Sequence, residues 1–179
     1  MIPEQLSAER LKLRPFTPAD GKSVFDYWNS DADWARFNKS VPDEYSEVDA
    51  EKFVADLVLR DRESQPNWAL VIDGRVIGVV SLTFEQDHRI AVIGYGIHGA
   101  LRGQGLSGEA VKTVIDGAFR SYSMLQKIRA HTDSRNTGSI RVLEKLGFKR
   151  EGILRSNQFV KGELTDEAIY GVLRKEWSD

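Results

Sequence analysis

The chain has 179 residues, 41% of them hydrophobic, with a formal charge of −2 and no cysteine, a length that suits one globular domain burying roughly 70% of its unfolded surface. The balanced charge argues against a nucleic-acid binder with a broad basic face, and without cysteine there is no disulfide framework, thiolate zinc site or cysteine nucleophile. His88, His98 and His131 are not spaced as a metal motif, and no apolar run approaches ~20 residues, so the expectation is a cytoplasmic protein without signal peptide or spanning helix.

Residues 10–16 alternate Leu11, Leu13 and Pro15 against charged neighbours and predict an edge strand. A helix over about 18–29 follows, with Pro18 near its first turn and Val24, Phe25 and Trp28 as its inner face, and the NSDAD cluster ends it. Between 31 and 46, Trp34, Phe37, Val41 and Tyr45 interleave with polar residues without a sustained period. Two readings stay open: an aromatic plug over the core, or one wall of an acceptor cleft. A helix begins at Ser46, with Asp49 at capping-box spacing, ends near Arg62 and turns Phe53, Val54, Leu57 and Val58 inward. Residues 67–73 and 75–84 are β-branched strands joined at Asp73-Gly74, a pair favoured by tight hairpin turns. The polar turn EQDHR leads to a third strand over 90–97, making a meander.

After that strand the chain places Gly99, Gly103, Gly105 and Gly108 within ten positions, with Arg102 among them. Leu106, Ala110, Val114, Ala118 and Tyr122 then recur every fourth position beside Val111, Ile115 and Phe119, so an amphipathic helix starts close to Gly105. Its unpartnered N–H groups and positive dipole end make a phosphate or pyrophosphate site, to which Arg102 adds a forked cation. The plainer account is a strand-to-helix connection that needs small residues. Gly103, Gly105 and Gly108 also spell the dinucleotide fingerprint, but no following parallel strand with an acidic ribose ligand accompanies it. Residues 127–132 predict a strand, 133–136 a connection and 137–146 a helix closed by Gly147. A strand over 148–155, a connection over 154–164 turning at Lys161-Gly162, and a closing strand over 166–173 complete the pattern, with Ala168, Tyr170 and Val172 on one face.

The hexapeptide Arg102-Gly103-Gln104-Gly105-Leu106-Ser107 resembles the R/Q-x-x-G-x-G/A signature of the GCN5-related N-acetyltransferases, with Ser107 where that family usually has Gly or Ala. A second block, NTGSIRVLEKLGF over 136–148, resembles the family's pantetheine-lining segment. The resemblance implies a single α/β domain whose central mixed, mostly antiparallel sheet has about seven strands with flanking helices. It also implies acetyl-coenzyme A (acetyl-CoA) as co-substrate, no metal, and acetyl transfer to a primary amine. By the same resemblance Arg102, Gly103, Gln104, Gly105, Leu106, Ser107 and Gly108 grip the pyrophosphate. The backbone of Gly96, Ile97 and His98 holds the pantetheine, with the Ile97 amide aimed at the thioester oxygen, and Asn136 is either a pantetheine ligand or an N-cap.

Many family members protonate the departing thiolate with a Tyr, but the matching position here is Leu143. The branch that modifies protein amino termini implies instead that Ser139 hydrogen-bonds the sulfur or relays a proton; otherwise it is a small residue near a helix start. Where that branch can hold a basic Glu this chain has Gln158, leaving Glu85, Asp87 and His88 as weighed alternatives, with Asp166 and Glu167 read as surface or structural. The implied acceptor is a protein amino terminus, as for ribosomal-protein N-acetyltransferases. A small amine (polyamine, amino sugar or antibiotic) and a non-catalytic coenzyme-binding regulator remain alternatives. A homodimer is expected by family analogy, and neither nucleic acid nor membrane is an expected partner.

Overall fold

Apolar alternation along β-branched segments sets the layout. A computed structural model describes residues 1–29, 35–37 and 44–177. Strands β1 (Leu6–Ser7) and β2 (Lys12–Arg14) precede helices α1 (Gly21–Asn29) and α2 (Glu47–Leu59); β3 (Asn67–Ile72), β4 (Arg75–Glu85) and β5 (Ile90–Ile97) form the meander. Helix α3 (Leu106–Ser121), β6 (Lys127–Asp133), α4 (Thr137–Lys145), β7 (Lys149–Val160) and β8 (Glu163–Leu173) follow. The sheet runs β1-β2-β3-β4-β5-β6-β8-β7, and the β5–β6 pair alone is parallel. This is the expected mixed α/β architecture, with eight strands among the described residues rather than about seven. The added one is the two-residue β1, which covers the outer edge of β2. No described helix is long and apolar enough to cross a membrane.

Period two divides each strand between two cores. On β3, Trp68 and Leu70 join the first core with Leu106, Ala110 and Val114 of α3 and Leu143 of α4, while Ala69 and Val71 face the second, with Val24 and Trp28 of α1 and Val54 and Leu57 of α2. On β6, Ile128 and Ala130 join the first core, so Lys127, Arg129 and His131 point to the opposite face. Ser46 caps α2 as expected, receiving the Asp49 N–H, while the Asp49 carboxylate receives the Ser46 N–H.

Three expectations need correcting. Residues 154–164 are not a connection: β7 continues to Val160 and β8 starts at Glu163, leaving only Lys161 (φ 50°) and Gly162 (φ 81°) as the turn. A register shift between Leu154 and Gln158 absorbs Ser156 at φ 49°, and this irregularity hides the strand period in the sequence. Val58 is 40% exposed, because the inward row of α2 is Ala50, Val54 and Leu57. The strand read as an edge, β2, is paired on both sides. Trp34, Val41 and most of the NSDAD cluster lie outside the described residues. Tyr45 packs edge-on against Trp28, ring centroids 5.3 Å apart, as the plug reading requires.

Pairing between β3 and β4 steps from Val71↔Val76 to Leu70↔Gly78, so Ile77 is an extra residue on β4. There β4 and β5 approach so closely that a Cβ on Gly78 would lie 2.3 Å from the Gly96 carbonyl oxygen. We therefore expect Gly78→Ala to lower folding stability by about 2 kcal/mol, the cost of forcing atoms into packed space. Gly152→Ala, with nothing within 4 Å of its Cβ position, should be near neutral; denaturant midpoints of the two variants check the contrast.

Candidate active site

Parallel pairing between β5 and β6 joins residues 90–93 to 127–130 and ends there. Beyond it β5 stays with β4 through Ile97, and β6 stays with β8 through Asp133. The strands have parted. His98 N–H donates to Ile77 O at 2.8 Å, and antiparallel hydrogen-bonded pairs recur every second residue. Counting back in twos, Gly96 and Gly94 direct their backbone groups at β4, while Tyr95 and Ile97 present theirs to the opened side. That side extends roughly 13 Å from Ile93 to Ile97 at strand rise and is filled by a cleft of about 830 Å³.

Past β5 the turn forms as the glycines predict. Gly103 (φ 78°) and Gly105 (φ 82°) occupy the left-handed region, which a side chain would oppose, and Gly105 directly precedes α3. Arg10 holds this turn from outside the cleft. Its Nη1 donates to Gln104 O at 2.8 Å, while its backbone N–H and Nε donate to the two Glu109 oxygens at 2.6 and 2.7 Å. Glu109 is an acid in the first turn of α3, and its charge would repel a phosphate were Arg10 not paired with it. Neither residue was expected at the turn, since 99 positions separate them.

Of the expected cofactor residues, Gly96, Ile97, Arg102, Gly103, Ser107, Asn136 and Ser139 line the cleft. The backbone N–H of His98, expected on the pantetheine, is taken by Ile77 O; its Nδ1 receives the Ala100 N–H at 3.0 Å, and its ring lies 5.6 Å from that of Tyr27. Gln104 Nε2 donates to Ala100 O at 3.3 Å, and Leu106 is a core residue. Gly108 is helical with open space at its Cβ position, so it needs no glycine for the fold itself.

Asn136 caps α4, its Oδ1 receiving the Ser139 N–H at 3.1 Å. The two alternatives for this residue are compatible, because the cap uses only the oxygen and leaves the carboxamide N–H groups for a ligand. Ser139 Oγ lies 2.9 Å from the Tyr95 hydroxyl, which also donates to Ser139 O at 3.1 Å. Burial pushes the Tyr95 phenol up to about 12, against a smaller opposing effect of Ser139. Tyr95 thus stays a protonated donor beside Ser139. Its signal in the sequence was a single phenol inside an apolar strand, with nothing to show its partner 44 residues on.

The candidate bases sit elsewhere. Glu85 pairs with Arg129, and His88 Nε2 contacts Glu63 O at 3.0 Å with its ring stacked on Tyr122; neither they nor Asp87 line the cleft. Glu167, read from the sequence as surface or structural, is buried and lines it. Gln158, on the neighbouring strand, donates to this carboxylate, as does Asn157 Nδ2 at 2.7 Å. Burial pushes the Glu167 carboxyl up, but these hydrogen bonds and neighbouring His131 outweigh it and hold the carboxyl below its ordinary range. Asp133, fully buried in its side chain, is matched by Arg135 at 2.9 Å. Phe37 and Arg36 add a wall from the segment after α1, so Phe37 fits the cleft reading where Tyr45 fits the plug. Among the described residues no group of three His, Asp or Glu is placed to hold a metal ion.

Residues 10–149 match the Acetyltransferase (GNAT) domain family. The chain belongs to this family. It is 31% identical over 178 residues to the uncharacterized N-acetyltransferase p20 of Bacillus licheniformis, covering 98% of this chain and 99% of that one. It is also 30% identical over 162 residues to the spermidine N(1)-acetyltransferase of Escherichia coli K12, covering 88% and 82%. Among solved structures, RimL, a ribosomal L7/L12 alpha-N-protein acetyltransferase in complex with coenzyme A, superposes with a TM-score of 0.86 at 18% identity, over 95% of this chain and 98% of that one. The protein is an acetyl-CoA-dependent N-acetyltransferase, and the glycine turn, the unpaired edge of β5 and the Asn136 carboxamide suit a pyrophosphate joined to an amide-bearing arm. Arg10→Ala should weaken acetyl-CoA binding about ten-fold by unmasking Glu109, and adding Glu109→Gln should recover most of it; calorimetry on both variants tests the coupling.

Proposed function

We propose that the chain transfers the acetyl group of acetyl-CoA to the amino-terminal amine of a protein, acting in the cytoplasm as a homodimer. The observation that carries the chemistry is the opened side of β5, where the Ile97 amide and the Tyr95–Ser139 pair border one cleft. The Ile97 N–H is the donor for the thioester oxygen, an interaction worth ~3 kcal/mol as charge develops there. Ser139 Oγ donates to the departing sulfur, and the Tyr95 hydroxyl replenishes Ser139 from behind. Arg102 and the turn of Gly103 and Gly105 hold the pyrophosphate, and Asn136 Nδ2 the pantetheine.

Charge supports the acceptor class. The described lining carries Arg36, Arg102 and Arg135 against the carboxylates of Asp133 and Glu167, and Asp133 is already matched by Arg135. Such a surface suits one amine on a neutral or acidic peptide better than a polycation. The likeness to a spermidine acetyltransferase favours a second reading, a polyamine acceptor, which this charge pattern opposes. Phe159 and Leu164, cross-strand partners near the β7–β8 turn, are both about two-thirds exposed and supply an apolar patch for the second protomer.

Calorimetry should show acetyl-CoA binding, and thiol release should be faster with amino-terminal peptides than with spermidine. Ser139→Ala should lose ~10²-fold in kcat with cofactor affinity nearly intact. Absence of binding at millimolar acetyl-CoA overturns the reading, while faster turnover of spermidine transfers it to the polyamine. Leu164→Asp should shift sedimentation from dimer to monomer.

A further inference from the structure

The proposed reaction needs a group that takes a proton from the incoming ammonium, and the sequence offered none at the family's position. We infer that His131 is that base, held in the required tautomer by Glu167. This inference rests on the reading of the protein as an amine acetyltransferase. His131 follows Ala130, the last residue of β6 to pair with β5, so it stands at the vertex where the strands part. Alternation along β6 puts it on the face opposite α3 and α4, away from Ser139 and Tyr95, and it lines the same cleft.

The tautomer follows from hydrogen-bond chemistry. Glu167 Oε1 lies 3.3 Å from His131 Nδ1 and also receives Gln158 Nε2, while Oε2 receives Asn157 Nδ2. A carboxylate with donors on both oxygens only accepts, so Nδ1 carries the proton and the lone pair of the neutral ring is on Nε2. The His131 side chain is 34% exposed and that of Glu167 only 8%. The imidazole is open to solvent while its anchor is fixed. Gln158 cannot take a proton itself, yet it fixes the carboxylate across the hairpin on β8.

Other charges on this face are already matched: Lys127 with Glu151, Arg129 with Glu85, and Asp133 with Arg135. Nε2 takes one proton from the acceptor ammonium and passes it to water. The freed nitrogen pair then forms the C–N bond to the thioester carbon as the C–S bond breaks. The Tyr95–Ser139 pair protonates the departing thiolate, and the second nitrogen proton, passed through water, restores that pair, giving amide and thiol. Glu167 is a positioning residue; it orients His131 and touches neither substrate.

The test compares wild type, His131→Gln and Glu167→Gln on two acceptors at neutral pH. One is a peptide with an ordinary amino terminus, and the other is the same peptide capped with an aminooxyacetyl group, whose amine is already neutral. We expect His131→Gln to lose ~10²-fold in kcat on the first and only a few-fold on the second, with acetyl-CoA affinity unchanged by calorimetry. Glu167→Gln should show the same acceptor dependence, more weakly. Equal losses on both acceptors, or wild-type rates in His131→Gln, overturn the assignment while leaving the acetyltransferase reading intact. Cofactor binding without turnover of either acceptor by the wild type rejects the amino-terminal reading and the base together.

Discussion

Two adjacent strands that pair and then diverge leave backbone donors and acceptors without partners, and the remainder of this structure is arranged around that divergence. An unpaired buried N–H or C=O is costly, so a gap of this kind persists only if each strand is held from its far side. β4 holds β5 through eight consecutive pairs, tightened where Gly78 meets Gly96. β8 holds β6 along its whole length. The Tyr95–Ser139 bond links β5 to α4 across the mouth. The exposed edge is then a polar rail of fixed spacing, suited to a ligand that carries amide groups of its own.

Much of the scaffold was legible because it depends on periods and short-range chemistry. The α3 repeat, the Asp73-Gly74 hairpin and the Ser46 cap are local signals, and all appear where the residues put them. The glycine turn was legible for the same reason, since positive φ at Gly103 and Gly105 is a local demand. What stayed hidden depends on distance or on a break in period. Ser156 interrupts the alternation of β7, so a long strand read as a loop. Arg10 and Glu109 are unremarkable charges until the fold brings them together. Glu167 alternates with Ala168 and so belongs to the outer face, which sequence alone equates with solvent; its burial comes from β7 and His131.

The two faces of the sheet divide the chemical environment. Toward α3 and α4 lie the helix terminus, Ser139 and a buried phenol, a combination suited to phosphate and to sulfur. Toward the other face lie a solvent-reachable imidazole and a carboxylate crowded with donors. The gap joins them, because helices α1 and α2 cover the second core alongside β3 and β4 rather than the outer strands. A co-substrate and an acceptor can therefore approach from different sides without displacing one another.

The order of strands also bears on how the molecule assembles. β8 follows β7 in sequence but lies between β6 and β7, so the hairpin cannot grow outward one strand at a time. β6 must keep an open edge until the later strand inserts, and contacts such as His131 to Glu167 close over 36 residues of chain. Non-local closure of this sort slows folding. While it waits, the exposed edge of β6 is the part of the nascent molecule most open to mispairing with another chain, and synthesis of β8 ends that exposure at the same moment that it completes the cleft.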